Sequence, residues 1–308
     1  MTLHRIFQAL GLALMVFTLG ACGETEKSFA PPPANPFDAA KVGADSTLEV
    51  MTWNIENFPK AATTVGWVVQ IVEGLKPDIV AVEEISNGAS FSALVAQLDG
   101  WNGVQATSDS YMNLGFLYRE DGGLVFTSAT EAMTSYSREF PRAPYVLEAT
   151  WHGTPIVVIA NHLKASGNGV LDEGDAWDEE TRRRDACVLL AEFVAANHAG
   201  KRVFIVGDMN DELTDTAPSN VFQNFLDDPA NWRFTDLAIA QGPESGWSYP
   251  GWPSHLDHIL VTDEVFPALV GPTATTVVVP LHTYLSGGWS TYDREVSDHL
   301  PVVIRLQP

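Results

Sequence analysis

From residue 47 onward, short β-rich runs alternate with helical segments in an order that excludes the simplest folds. Residues 48–53 alternate as a strand, 64–75 repeat with helical period, and 78–82 form a continuous apolar strand ending in acids. Residues 91–98 read as helix, and 115–118, 124–127, 145–151 and 155–161 as strands. His152-Gly153-Thr154 joins the last two as a hairpin turn. The longest helix covers 179–197, a buried strand covers 202–206, and later strands cover 256–261 and 301–306. This is neither a regular βαβ alternation nor an all-β chain. Hairpin-linked strands with helices between them predict an α/β (α+β) architecture, two sheets packed face to face with helices outside. No linker-like stretch or internal repeat interrupts 47–308, which reads as one domain and a monomer.

Ahead of that domain the chain reads as targeting sequence. His4 and Arg5 precede a nearly all-apolar run, 6–19, which stops at Leu19-Gly20-Ala21-Cys22. Small residues before a cysteine resemble a bacterial lipobox, so 1–21 is expected to be a signal peptide and Cys22 the lipidated first residue of the mature protein. The other reading is an ordinary cleaved signal with an incidental cysteine. Residues 22–46, with Pro31-Pro32-Pro33 and Pro36, read as a stiff tether. No apolar run reaches the ~18 residues of a membrane-spanning helix. The expected location is therefore outside the cytoplasm, in the periplasm or at the cell surface, with the membrane met only through the lipid anchor.

Composition narrows the options further. With 45% hydrophobic and 18% charged residues, wholesale disorder is excluded. Two cysteines exclude a disulfide framework or a cysteine zinc site, and Cys187, in an apolar helical stretch, reads as core. Seventeen basic against 39 acidic residues leave a net charge of −22, which excludes a protein held on nucleic acid mainly by a broad cationic surface.

The polar residues fall in a telling place. Asn54 closes the first strand, Glu83-Glu84 the second, Asn161-His162 another and Asp208-Met209-Asn210 a fourth, while Asp257-His258 and Asp298-His299 flank the last two. Any one of these reads as a turn or cap residue; six together, at strand ends whose loops converge, read as a site. Oxygen donors without cysteine suit Mg²⁺, Mn²⁺ or Ca²⁺ better than zinc, and histidines beside them supply proton transfer.

The ordered set TWNIEN (52–57), DIVAVEEI (78–85), LYRED (117–121), NHLK (161–164), GDMND (207–211), LDHIL (256–260) and SDHLPV (297–302) resembles the endonuclease/exonuclease/phosphatase superfamily over residues 49–305. That resemblance implies a four-layered αββα sandwich and hydrolysis of phosphoester bonds. Carried over by position, it makes Glu84 the principal metal ligand, Asn54 a helper at the metal or phosphate, and Asp298 a further carboxylate on that side. It makes Asp208 and Asn210 the residues that position water, His299 a phosphate contact held by Asp257, and His162 a ligand of a non-bridging oxygen or the leaving group's acid. Which of Asp208, His299 and His162 is the base stays open. No acid lies between Tyr111 and Arg119 to orient His162, so its pKa is expected to be low.

Three further features carry two readings each. The acidic run 172–180 reads as a solvated loop ahead of a calcium site. Arg182-Arg183-Arg184 reads as pairing with those acids ahead of steering phosphate. Residues 247–253, rich in tryptophan, read as a rigid loop or as a surface touching a base or lipid. The expected substrate is a phosphodiester, nucleic acid ahead of a phospholipid headgroup or small phosphoester, with a non-catalytic surface lipoprotein as the contrasting class.

Overall fold

The computed structural model describes residues 34–108, 111–120 and 122–308; residues 1–21, expected to be a signal peptide, and Cys22 lie outside them. Among the described residues, twelve strands form two six-stranded sheets. In chain order these are β1 (Leu48–Phe58), β2 (Ile79–Ile85), β3 (Trp101–Gln105), β4 (Asn113–Arg119), β5 (Leu124–Glu131), β6 (Tyr145–Trp151), β7 (Thr154–His162), β8 (Arg202–Asp208), β9 (Trp232–Phe234), β10 (Asp257–Thr262), β11 (Thr275–Val278) and β12 (Val302–Leu306). One sheet runs β11-β12-β1-β2-β4-β3, the other β5-β6-β7-β8-β10-β9. Pairs β1–β2 and β7–β8 are parallel, and the other pairs are antiparallel. The helices are α1 (Thr64–Leu75), α2 (Gly88–Val95), α3 (Glu179–Asn197), α4 (Gln223–Leu226), α5 (Leu237–Ala240), α6 (Phe266–Leu269) and α7 (Trp289–Glu295).

The central strands are apolar on both faces because both faces are covered. Leu48 and Val50 of β1, Ile79 and Ala81 of β2, Phe204 and Val206 of β8, and Val302 and Ile304 of β12 pack between the sheets. Their neighbours one residue along, Met51 and Trp53, Val80 and Val82, pack outward under α1 and α2. Val203 and Ile205 do the same under α3. The result is the four-layered αββα sandwich. Cys187 lies on the inner face of α3, fully buried, and burial pushes its thiol pKa up.

Residues 35–46, assigned from their prolines to the tether, instead pack on the domain. Pro36 occupies the first turn of a 3₁₀ helix, Pro36–Ala40, where a missing N–H costs nothing. Phe37 is fully buried, its ring 6.4 Å from Trp67, and Asn35 Nδ2 donates to the Gln70 carbonyl at 2.6 Å. Asn35 through Pro308 forms one compact unit. Among the described residues no helix is long and apolar enough to cross a membrane.

Candidate active site

Side-chain alternation delivers the polar residues to one mouth. Along β1 the series Leu48, Val50 continues to Thr52 and Asn54; along β2, Ile79 and Ala81 continue to Glu83. On the facing sheet, Ile156, Val158 and Ala160 lead to His162, Phe204 and Val206 to Asp208, and Val261 and Ile259 back to Asp257. Every second residue points the same way, so each apolar inter-sheet series ends in an amide, carboxylate or imidazole at the rim. Strand register aligns them: Asn54 lies opposite Glu83, His162 opposite Asp208, and Asp208 opposite Asp257.

Glu84 would alternate away from this mouth, but β2 is irregular there. Its pairing slips between Val82 and Ile85, and Glu84 takes φ of 65°, a bulge that re-aims the side chain. Asn54 Nδ2 then donates to Glu84 Oε1 (3.1 Å) and Asp208 Oδ2 (3.0 Å), while the Asn57 N–H donates to Glu84 Oε2 (2.8 Å). Glu56, Asn57 and Asn210 also have positive φ, so unfavourable backbone gathers where these side chains are held. Glu83 is left beneath the site, accepting from Thr52 Oγ1 (2.8 Å). Burial, reinforced by Asp257, raises its pKa well above the carboxylate range and keeps it neutral.

The two histidines differ sharply. His299 Nδ1 lies 2.8 Å from Asp257 Oδ2, and its Nε2 lies 3.7 Å from Asp208 Oδ2. Burial opposes its charge, but Asp257 and Asp208 outweigh burial and hold it protonated well above the usual histidine range. Asp257 is depressed in turn: burial raises it, and His299 more than reverses that. His162 Nε2 sits 3.5 Å from Asp208 Oδ2 and 3.9 Å from Glu84 Oε1. Its Nδ1 is buried with no hydrogen-bond partner among the described residues. Burial first, then Arg142 and His299, drive its pKa well below the usual value, as the missing acid suggested. Asp208 is pushed up to about 6, by burial opposed by His299 and reinforced by Asp257.

Asp298 approaches the same nitrogen of His299 as Asp208 does, its Oδ1 3.9 Å from Nε2. Its N–H donates to Glu56 Oε2 at 2.9 Å, and Glu56 also pairs with Lys60. Burial, opposed by His299 and reinforced by Glu56, pushes Asp298 to about 7. Glu56 was missed in the sequence, although it stands two residues after Asn54 in TWNIEN. Arg142, the cation near His162, and Tyr249, whose ring lies 4.7 Å from that of His299, carried no motif signal. Asn210 reaches the site by a route other than extended alternation. The strand ends at Asp208, the chain turns, Asn210 N–H donates to Asp208 Oδ1 (3.0 Å), and Asn210 Nδ2 donates to the Leu163 carbonyl (3.3 Å). Tyr111 donates its hydroxyl to Asn57 Oδ1 (3.3 Å) at the rim.

Buried networks brace the loops behind. Arg183 Nε donates to Asp211 Oδ2 (2.7 Å), and its Nη1 donates to the carbonyls of Lys164 (2.7 Å) and Ser166 (2.6 Å). One side chain of α3 thus ties the loops after β7 and β8. Arg184 pairs with Glu173 and Asp185, so the basic cluster does pair with acids. Asp236, His255 and His258 also converge, all fully buried. Asp236 Oδ2 lies 3.0 Å from His255 Nε2 and 2.6 Å from His258 Nδ1, hydrogen-bond distances that leave no room for an ion between them.

A profile described as "Endonuclease/Exonuclease/phosphatase family" matches residues 51–299. The chain belongs to that family, whose members hydrolyse phosphoester bonds. No curated protein sequence matches significantly. Among solved structures, TDP2 of D. rerio complexed with single-strand DNA product aligns at 14% identity and TM-score 0.63, over 85% of this chain and 100% of that one. The human Nocturnin catalytic domain with bound sulfate aligns at 15% identity and TM-score 0.57, over 85% and 93%. The 3′ phosphatase NExo from Neisseria, bound to product DNA hairpin, aligns at 18% identity and TM-score 0.59, over 84% and 99%. At these identities the likeness is one of fold.

Proposed function

We propose that this chain is an exported, lipid-anchored phosphodiesterase that depends on a divalent cation and cleaves nucleic acid. The observation that carries the reading is the meeting of Asn54, Glu84, His162, Asp208, Asp257 and His299, drawn from strands of both sheets, at one mouth. The donor chemistry is that of a hard cation: the oxygens of Glu84 and Asp298, of which Asp298 Oδ1 is buried and accepts no hydrogen bond among the described residues. Glu84 and Asp298, with Asn54, would hold Mg²⁺, with Mn²⁺ or Ca²⁺ as substitutes. A cation there supplies neutralisation of the charge that builds on the phosphoryl and leaving oxygens.

The chain's own groups divide the remaining work. His299, kept charged by Asp257, offers Nε2–H to a phosphoryl oxygen. Asp208 faces both imidazoles and is placed to orient water and accept its proton, with Asn210 holding the turn behind it. His162, kept neutral, binds a phosphoryl or leaving oxygen through Nε2. Nucleic acid as substrate draws support from the DNA products in the TDP2 and NExo structures. Export and acylation of Cys22 rest on the sequence of residues 1–22; palmitate labelling lost in Cys22→Ser tests them.

The deciding experiment presents purified protein with single-stranded DNA, duplex DNA, RNA and sphingomyelin, with Mg²⁺ and with chelator. Metal-dependent cleavage of a nucleic acid is expected. Turnover of sphingomyelin alone, or turnover indifferent to chelator, would overturn the assignment.

A further inference from the structure

Residues 249–254 form a short turn closed by an antiparallel bridge, with Tyr249 and Ser254 exchanging backbone hydrogen bonds of 3.0 and 3.2 Å. Its base is the Tyr249 ring against His299. Its tip, Pro250-Gly251-Trp252-Pro253, carries Trp252 with 75% of its surface exposed. The other aromatics of this stretch are committed elsewhere: Trp247 Nε1 donates to the Ile239 carbonyl (3.1 Å), and Tyr249 covers the histidine.

We propose that Trp252 is a stacking platform for a nucleobase within about three nucleotides of the scissile phosphate, a subsite of the nuclease reading above and dependent on it. Trp252 follows Tyr249 by three positions, so its backbone lies within ~11 Å of the residue covering His299. That is about three nucleotides at ~3.4 Å per nucleotide along a strand. The platform is stiff. Prolines flank the Gly-Trp pair, and the Cβ position of Gly251 lies 3.8 Å from Trp289 of α7. Trp289 packs at a tilt against Tyr292, ring centroids 5.7 Å apart, and the Tyr292 hydroxyl donates to the His299 carbonyl at 2.7 Å. The same helix therefore braces the tip and the histidine.

Charge favours a base over other ligands. A protein of net charge −22 gains little from a polyanion's phosphates beyond the site itself. Stacking is indifferent to that charge, because every base presents a π-face. A lipid surface would call for a wider apolar patch. Among the described residues, no other exposed large hydrophobic side chain lies on this turn or on α7.

The test compares the wild type, Trp252→Ala and Trp252→Phe on a single-stranded DNA oligomer and on an abasic oligomer of equal length, with Mg²⁺. Trp252→Ala is expected to lower kcat/KM on DNA about 5- to 150-fold, mainly through KM, the equivalent of ~1–3 kcal/mol of stacking. Its rate on the abasic chain stays unchanged, and Trp252→Phe recovers most of the loss. Wild-type cleavage of DNA with Trp252→Ala unaffected, or equally impaired on both oligomers, would refute the platform while leaving the nuclease reading in place. A wild type that cleaves neither oligomer but turns over sphingomyelin vesicles through Trp252 would refute both.

Discussion

Replacing Asp236 by asparagine removes one charge from a fully buried polar cluster. The carboxylate accepts from His255 Nε2 (3.0 Å), His258 Nδ1 (2.6 Å) and the Ile259 N–H (3.0 Å). Burial opposes its charge, yet His258 and His255 more than offset this and hold it far below the usual carboxylate range. His258 is raised correspondingly, with burial overcome by Asp236, and as an imidazolium it also donates Nε2–H to the Asp211 carbonyl (2.9 Å). Asparagine keeps one acceptor: with its oxygen on the two rings, its amide N–H₂ is turned to the Ile259 N–H, donor against donor, and the charge that holds His258 protonated is lost. Breaking a buried pair in this way costs about 3–5 kcal/mol, or roughly 6–20 °C in Tm at ~2–4 °C per kcal/mol for a domain of this size. The raised His258 contributes stability that is fully present below its unfolded pKa of ~6.5 and fades as pH rises through its folded value. The depressed Asp236 contributes above ~3.9 and fades only as pH falls through its own folded value. The mutant's deficit should therefore be largest between about pH 4 and 6.5 and shrink in alkali. Urea melts at pH 5.5, 7 and 9 measure it. An unchanged midpoint, or a deficit that grows toward pH 9, would show that the cluster is not the charged clamp described.

Asp208→Ala and His299→Ala should each lower kcat by about 10²–10⁴-fold with the circular dichroism spectrum preserved, since both act by proton transfer or charge contact; near-wild-type turnover in either would remove the mechanism. Glu84→Gln keeps a similar shape but loses a ligand charge, and should raise the half-saturating Mg²⁺ concentration at least about 10-fold in a metal titration. Gly207→Ala should cost about 2–6 kcal/mol, because φ is 143° there and a Cβ would be driven onto the Asn161 carbonyl oxygen; a soluble variant with wild-type Tm would contradict the close approach of β7 and β8.

Much of this arrangement was legible because burial dictates pattern. The ranges 64–75, 145–151 and 179–197 coincide with α1, β6 and α3, where periodicity runs long enough to be unambiguous. The edge strands β3, β9 and β11 escaped notice. They are short and half-exposed, so little hydrophobic patterning marks them. Asn54, His162, Asp208 and Asp257 were readable as polar ends of apolar series. Glu84 reaches the same mouth only through a left-handed backbone that no glycine announces. Asn210 lies past the end of β8 on a turn, where strand alternation gives no guide to its direction. The prolines before residue 47 looked like tether, yet Pro36 begins a helical turn and Phe37 anchors it.

The ties made by Arg183 have a practical corollary. They pin the chain at Ser166, and the Glu180 carboxylate takes up Gly169 N–H at 2.5 Å, so both ends of the acidic excursion from 170 to 177 are fastened before it departs. Its own ties, Glu173 to Arg184 and the Ala176 carbonyl to Arg138, do not reach the residues of the mouth. A foreign peptide or reporter spliced into it is expected to leave the hydrolytic edge of the molecule unchanged.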